Sequence, residues 1–252
     1  YTILLSECKC EAYAYGHQCC DFSDGTLVCL TPGESISMKE NNKEFPSKGW
    51  ILAFHPDLIC GTPLGLNIHN YTFFSYCPEE ALHLSLREKQ IILEFLERIR
   101  QELERCIDRH SKKIISKYIE LLLDYCTRFY ERQFITRSEV NKKVFREFNH
   151  LLDNHFNVKV SLSTDVLSDE YCANLLHLSP AYFNDLLKYE IGKEFKEYIQ
   201  FKRFEIAKGW LVNTDKTLGQ IAQELGFSNS QYFSRLFKKI TGCSPNEFRM
   251  PN

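Results

Sequence analysis

The strongest constraint on the fold is a repeat in the C-terminal half of the chain. The segment LHLSPAYFNDLLKYEIG (176–192) returns as LGFSNSQYFSRLFKKITG (225–242), with corresponding residues fifty positions apart. The matched pairs are Tyr182 and Tyr232, Phe183 and Phe233, Leu186 and Leu236, Lys188 and Lys238, and Gly192 and Gly242. A period of this size indicates a duplicated supersecondary unit, and two copies are too few for a solenoid. We therefore expect two similar modules in this part of the chain.

Each copy has the pattern of a helix, a tight turn and a second helix. In the second copy, apolar residues recur at helical spacing over 218–225, and Gly226 is expected to end that helix because glycine enters the left-handed conformation at little cost. Ser228 is the predicted N-cap of the next helix. Ser179 has the corresponding role in the first copy, followed by Pro180 at a position where its missing amide costs nothing. The predicted buried face of the last helix consists of Tyr232, Phe233, Leu236, Phe237 and Ile240.

The opposite face of each second helix is polar, a pattern typical of a DNA-binding helix-turn-helix. Its side chains include donors and acceptors suited to base edges and phosphates. The helix between the copies is about 30 Å long, which suits two recognition helices about one DNA turn apart. The candidate DNA-binding residues are Ser179, Ala181, Asn184, Asp185 and Lys188 in the first copy, and Ser228, Asn229, Ser230, Gln231, Arg235 and Lys239 in the second.

The chain as a whole is predicted to be an α+β protein of two domains. Residues 1–77 contain short apolar runs separated by glycine and proline, which predict a β-sandwich or barrel. Residues 79–132 predict a helical hairpin whose first helix begins at a capping box, Ser85–Glu88. The polar stretch 133–143 breaks the periodicity and is the predicted linker to an all-helical region, 144–252. The helices expected there are 143–156, 167–176, 180–190, 193–212, 217–225 and 229–240, with a short turn near 245–248.

Composition excludes some classes of protein and leaves the DNA argument to the motifs. The chain has 252 residues, of which 44% are hydrophobic and 25% charged, as in soluble globular proteins. No apolar run approaches the roughly 18 residues of a membrane span. The net charge of −2 carries no electrostatic signature of nucleic-acid binding. Because the chain starts at Tyr1 in strand-like sequence, we expect the natural protein to begin earlier.

The eleven cysteines are scattered along the chain, which favours reduced thiols in a cytoplasmic protein over a disulfide framework. The densest group is Cys8, Cys10, Cys19 and Cys20, whose spacing does not fit the usual pairs of a zinc site. We interpret these thiols as small buried hydrophobic residues. No metal, cofactor or catalytic residue is predicted.

The stretch IAQELGFSNSQYFSRLFKKITGCSPNEFR (221–249) resembles the signature of the AraC/XylS family of bacterial transcription regulators. The resemblance covers about 143–249, and the linker-helix pattern R-x-x-x-A of the family fits at Arg203 and Ala207. The signature positions that match are Ile221, Ala222, Gly226, Phe227, Tyr232, Phe233, Arg235, Phe237, Lys238, Lys239, Gly242, Ser244, Pro245, Phe248 and Arg249.

This resemblance implies two helix-turn-helix motifs in successive major grooves of double-stranded DNA. Base or phosphate contacts are implied for Ala181, Asn184 and Asp185 in the first motif, and for Ser230, Gln231 and Arg235 in the second. Asp185 departs from the family, in which arginine is frequent at that position. A carboxylate is repelled by phosphates unless it accepts from a cytosine amino group. We therefore expect either that the first motif binds more weakly or that Asp185 pairs with Lys188.

The resemblance also implies that residues 1–132 form a cupin-like domain that senses a small molecule or dimerises. A homodimer through the hairpin 85–130 is expected, and RNA polymerase is a further candidate partner. An effector pocket would be lined by aromatic residues of the β region, although such residues more often form ordinary core. The candidates are Tyr13, Tyr15, Phe22, Trp50, Phe54 and Phe73.

Two alternatives remain open at this point. One is a ligand-binding or oligomerising protein without DNA activity, which the weak net charge and Asp185 keep in consideration. The other is a cupin enzyme, which needs clustered metal ligands. The β region offers only isolated His17, His55 and His69, and no H-x-H pair.

Overall fold

The computed structural model describes residues 1–6, 18–34, 49–157 and 167–250. The chain forms two compact units. The first unit comprises Tyr1–Lys142 together with His177–Leu186, and the second comprises Lys143–Leu176 and Leu187–Asn252. The first motif of the repeat is therefore divided between the two units.

An antiparallel sheet lies at the centre of the first unit. Its strands are β1 (Thr2–Ser6), β2 (Gly25–Leu30), β3 (Gly49–Ala53) and β4 (Leu82–Leu84), in the order β3-β1-β2-β4. Ile3 and Leu5 of β1 are buried on the face that also carries Leu27 and Leu84. Within the described ranges the sheet has four strands, so a cupin-like barrel stays a prediction.

The segment between β3 and β4 is helical, and the prediction of strands up to residue 77 was wrong there. It contains α1 (Pro56–Ile59), α2 (Pro63–Asn67) and 3-10 turns at Ile68–Asn70, Thr72–Ser75 and Pro78–Glu80. Proline opens each of the two α-helices, and the preceding His55 and Thr62 accept hydrogen bonds from Asp57 and Gly65 amides. Proline at the first helical position combined with a side-chain cap favours short helices over strands.

The predicted helical hairpin is confirmed and packs on the sheet. Helix α3 spans Leu86–Glu104 and begins at the capping box of Ser85 and Glu88. Helix α4 spans Ser111–Thr136 and buries Ile119, Leu122 and Cys126 in the same core as the sheet.

The predicted linker, 133–143, is helical. Helix α4 runs to Thr136, and helix α5 (Ser138–Asn157) starts two residues later. Gln133 is buried and connects to the sheet region, since its side chain accepts from the His83 amide at 2.8 Å and donates to the Ala81 carbonyl at 3.0 Å. The polarity of Gln133, which suggested a solvated linker, instead serves internal hydrogen bonds. The sequence alone does not distinguish a polar residue in solvent from a buried one with partners.

The remaining helices agree with the predicted order to within a few residues. They are α6 (Asp169–Leu175), α7 (Pro180–Ile191), α8 (Phe195–Asn213), α9 (Leu218–Glu224), α10 (Ser230–Thr241) and α11 (Pro245–Arg249). The first residues of α7, up to Leu186, belong to the first unit. Among the helices described, none is both long and apolar enough to cross a membrane.

Candidate nucleic-acid interface

The second motif is built on an aromatic core that fixes α10 against α8 and α9. Phe233 and Phe237 of α10 are fully buried, with ring centroids 5.6 Å apart. Phe204 of α8 lies 6.2 Å from Phe233 and 6.1 Å from Phe237. Phe227 of the turn packs on Phe233 at 5.2 Å. Close-packed rings of this kind hold the helix in one orientation, which a recognition helix requires.

Glycine and a side-chain cap define the turn between α9 and α10. Gly226 has φ 72°, the left-handed region predicted for it, and the Phe227 amide donates to the Ala222 carbonyl at 2.8 Å. The N-cap of α10 is Asn229, whose side chain accepts from the Tyr232 amide at 2.7 Å. The prediction of Ser228 as the cap was wrong by one residue. Both residue types cap helices well, so only the backbone conformation decides between them.

Replacing Asn229 with alanine should lower the free energy of unfolding of the second unit by about 1 kcal/mol, because the Tyr232 amide loses its acceptor. Ser228→Ala is the matched control and should change it by less than about 0.5 kcal/mol. Urea unfolding monitored by fluorescence would measure both. Equal effects of the two substitutions would contradict the assignment of the cap.

The outer face of α10 is open to solvent. Gln231, Arg235 and Lys239 are exposed and Ser230 is half-buried. The Arg235 guanidinium lies 5.8 Å from the centre of the Tyr232 ring. Neither Arg235 nor Lys239 has an ion pair with any residue that the structure describes. The face therefore presents unneutralised cations and polar groups on a rigid helix.

Two residues of the predicted buried face of α10 are on its surface. Tyr232 is 40% exposed and Ile240 is 51% exposed, whereas Phe233 and Phe237 are buried as predicted. The stripe that α10 buries is therefore narrower than predicted. Helical spacing shows which residues share a face, but the width of the covered stripe depends on the neighbouring helices.

The first motif differs from the second in its surroundings. The Ser179 hydroxyl accepts from the Tyr182 amide at 3.2 Å, as expected of a cap, but Ser179 is buried. The carboxylate of Asp185 accepts hydrogen bonds from the hydroxyls of Thr72 and Tyr76. Ala181 and Asn184 are half-buried, while Lys188 is exposed. Contact of these residues with DNA stays a prediction.

The partners of α7 in the first unit are residues that sequence reasoning missed. They are Thr72, Tyr76 and Glu80, which lie about a hundred positions before α7 in the chain. No local pattern marks them, because hydroxyl and carboxylate side chains of this kind are common on any protein surface.

The residues predicted to line the effector pocket lie in different environments. Tyr13 and Tyr15 lie outside the described residues. Phe54 and Phe73 belong to the hydrophobic core. Phe22 is 40% exposed, with the Arg132 guanidinium 4.8 Å from its ring centre. Trp50, which packs at the margin of the core, completes the set. The pocket and its ligand therefore stay predictions.

The cysteine interpretation needs correction at two positions. Cys8 and Cys10 lie outside the described residues, but Cys19 and Cys20 are exposed, not buried. Cys29 and Cys126 are fully buried, and burial raises the pKa of both thiols. Across the described ranges, no group of three or more histidine, cysteine, aspartate or glutamate side chains could hold a metal ion.

Comparisons with known proteins concern mainly the region of the repeat. A family described as a helix-turn-helix domain matches residues 172–250. The uncharacterized HTH-type transcriptional regulator YtdP of Bacillus subtilis is 33% identical over 111 residues, 44% of this chain and 14% of YtdP. The uncharacterized HTH-type transcriptional regulator YijO of Escherichia coli is 24% identical over 225 residues, 89% of this chain and 76% of YijO. The arabinose operon regulatory protein of Salmonella typhimurium is 32% identical over 101 residues, 40% of this chain and 32% of that protein.

The matched range contains both copies of the repeat and the whole signature. Residues 172–250 form a helix-turn-helix domain of the AraC type. The chain spans only 14% of YtdP and 32% of the arabinose regulator, so these similarities cover a part of each relative.

Several signature residues of the AraC-type domain have structural roles. The Arg249 guanidinium donates to the Leu211 carbonyl at 3.2 Å and to the Lys216 carbonyl. It therefore ties α11 to the C-terminal end of α8. Gly242 ends α10 with φ 84°. Among the signature positions, Arg235 and Lys239 are the exposed cations of the outer face, together with the neighbouring Lys238.

Proposed function

We propose that this protein is a sequence-specific DNA-binding transcription regulator. The observation that carries the proposal is the exposed face of α10, where Gln231, Arg235 and Lys239 lie on a helix that an aromatic core holds in place. The regulatory function that the names of the relatives state supports it. Residues 144–252 are the proposed DNA-binding domain, joined through 133–143 to a sensory and dimerisation domain, 1–132.

In this proposal α10 lies in the major groove, with Gln231 and Arg235 one helical turn apart along its exposed side. Arginine recognises guanine through two hydrogen bonds and glutamine recognises adenine, so these two residues supply base contacts. Lys239, further along the helix, neutralises a phosphate and contributes affinity without sequence preference.

Replacing Arg235 with alanine should weaken binding to the preferred sequence by about 1–3 kcal/mol and relax specificity at one base position. Lys239→Ala should weaken binding to all sequences alike and reduce the salt slope by about one unit. Selection from a random duplex library, followed by titration of the selected sequence, measures both effects.

The matched control is Arg146→Ala on α5, which removes the same charge from an exposed position outside both motifs. This variant should keep the preferred sequence and nearly all of the affinity. An Arg235→Ala protein with an unchanged sequence preference would contradict the proposed role. Absence of any selected sequence would favour a ligand-binding or oligomerising protein without DNA activity.

We further propose a homodimer through the hairpin of α3 and α4. Helix α4 carries a stripe of Ile114, Tyr118, Leu121 and Tyr125 at heptad-like spacing, of which Ile114 and Leu121 are exposed. An apolar stripe of this kind favours association with a second helical hairpin. A purely monomeric protein in sedimentation experiments at micromolar concentration would contradict this part of the proposal.

A small-molecule effector bound by the first domain, and RNA polymerase as a partner at the promoter, complete the proposal. We propose no catalytic activity, and transcription control places the protein in the cytoplasm. The support for these points is the regulatory function that the names of the relatives state.

A further inference from the structure

The repeat allows the same positions to be compared in α7 and α10. Tyr182 of α7 is 4% exposed, whereas its counterpart Tyr232 of α10 is 40% exposed. The N-cap residues differ in the same way: Ser179 of α7 is buried and Asn229 of α10 is exposed. Since the two motifs share one sequence pattern, the difference must come from what lies against α7.

Tyr182 is covered by side chains of the first unit. Its ring lies 5.1 Å from that of Tyr76, edge to face, and 5.2 Å from that of Phe134 at the end of α4. Arg137 makes a hydrogen bond with the Tyr182 hydroxyl. The first turn of α7 thus contacts two aromatic rings of the first unit, whereas Tyr232 of α10 contacts the ring of Phe227 at 6.5 Å and stays partly exposed.

Glu80 binds the N-terminus of α7. One oxygen of its carboxylate accepts from the Ser179 amide at 2.7 Å, and the other accepts from the Ser179 hydroxyl at 2.5 Å. Glu80 is itself 4% exposed and also accepts from the Cys77 amide at 2.8 Å. Burial raises the pKa of Glu80, while the hydrogen bonds from Ser179 and Cys77 favour its ionised form.

Asp185 forms the second polar contact, one turn further along α7. A single carboxylate oxygen accepts from the Thr72 hydroxyl at 2.5 Å and from the Tyr76 hydroxyl at 2.7 Å. Burial, together with the nearby Asp185 charge, raises the pKa of Tyr76, so its hydroxyl stays a donor at neutral pH. The corresponding residue of α10 is Arg235, which has no such partner and faces solvent.

We infer that the first half of α7 is held in an autoinhibitory contact, in which the first unit occupies the helix face that the first motif needs for DNA. This inference rests on the proposed DNA-binding function. It gives the acidic residue at position 185 a reason, because a carboxylate that would be repelled by phosphates is instead the acceptor for two hydroxyl groups of the first unit. Arg235 and Lys239 of the second motif are exposed and take no part in this contact.

The contact and DNA binding by the first motif exclude each other. Asp185 and the first turn of α7 cannot contact the first unit and a DNA groove at the same time. Apparent affinity for a two-motif site is then the intrinsic affinity multiplied by the fraction of molecules in which α7 is released. Any change that weakens the contact without touching α7 or α10 must raise that affinity. An effector or a second subunit that displaces α7 would act in the same way.

The test removes the two hydroxyl groups that bind Asp185, in the variant Thr72→Val combined with Tyr76→Phe. Each lost hydrogen bond to a carboxylate should shift the equilibrium toward release by about tenfold. Tyr71→Phe is the matched control, because the Tyr71 hydroxyl donates to Asp124 of α4 and not to α7. Two quantities are measured on the full chain. One is the rate of hydrogen exchange in peptides covering 177–183, and the other is the affinity for a selected DNA duplex that accommodates both motifs.

The inference predicts faster exchange at 177–183 in the double variant and DNA binding that is tighter by about tenfold to a hundredfold. The control should behave like the wild type. Unchanged exchange and affinity in a folded double variant would overturn it while leaving the proposed function intact. If the double variant does not fold, Glu80→Gln is the second variant. It replaces with an amide the carboxylate that accepts hydrogen bonds from the Ser179 amide and hydroxyl. Failure of every form, wild type included, to bind any duplex would instead overturn the proposed function.

Discussion

Replacing Arg137 with alanine is expected to lower the free energy of unfolding of the first unit by about 3–5 kcal/mol. The Arg137 guanidinium donates to both oxygens of Asp21, at 2.9 Å and 2.6 Å, and both side chains are almost fully buried. The substitution leaves a buried carboxylate without its cation, which costs far more than the loss of a surface ion pair. Urea unfolding of a Trp210→Phe background, in which Trp50 of the first unit is the remaining tryptophan, measures it.

The pH dependence of this effect follows from the pKa of Asp21. Burial alone would raise that pKa, but hydrogen bonds from Arg137 and Gln18 and the nearby positive charges lower it below its ordinary value. A carboxyl group whose pKa is lowered in the folded state stabilises the fold above its unfolded pKa, about 3.9, and loses this contribution as the pH falls through the folded value. The difference in stability between wild type and Arg137→Ala should therefore shrink below about pH 4.

The control for this prediction is the exposed ion pair of Arg100 with Glu97 on α3. Arg100→Ala should cost far less than Arg137→Ala, because solvent screens an exposed pair. Similar losses for Arg100→Ala and Arg137→Ala would show that the buried pair contributes no more than a surface one.

Replacing Phe233 with alanine should cost about 3–5 kcal/mol of unfolding free energy in the second unit. The ring is fully buried among Phe204, Phe227 and Phe237, so its removal leaves a cavity in the small core under α10. A loss of this size should also weaken sequence-specific DNA binding, because α10 is no longer held in one orientation. Unfolding in a Trp50→Phe background, followed through Trp210, measures the stability.

Ile240→Ala is the control on the same helix. Ile240 is 51% exposed, so its truncation should change stability by less than about 0.5 kcal/mol. If Ile240→Ala proved as damaging as Phe233→Ala, the narrow buried stripe of α10 would be wrong and the sequence-based assignment of Ile240 to the core would be right.

The sequence predicted most of the helices of the C-terminal region, because helix periodicity, caps and glycine ends are local properties. Gly226 and Gly242 have the left-handed conformation expected of them, and Ser179 caps α7. The cap of α10 was misplaced by one residue, since Ser228 and Asn229 are both good caps and the turn conformation chooses between them. The short helices after Pro56 and Pro63 were missed for a related reason, as brief apolar runs with proline fit either a strand end or a helix start.

By itself, the sequence determined the duplicated motif, the burial of Phe233 and Phe237 and the polar face left over on α10. Only the tertiary structure decided that the two copies have different surroundings. Tyr182 and Tyr232 are equivalent in sequence, yet Tyr76 and Phe134 cover the first and solvent reaches the second. The reason is physical: a local pattern fixes which side of a helix is apolar, but the partners of Ser179 and Asp185 lie about a hundred residues away and come together only when the chain has folded.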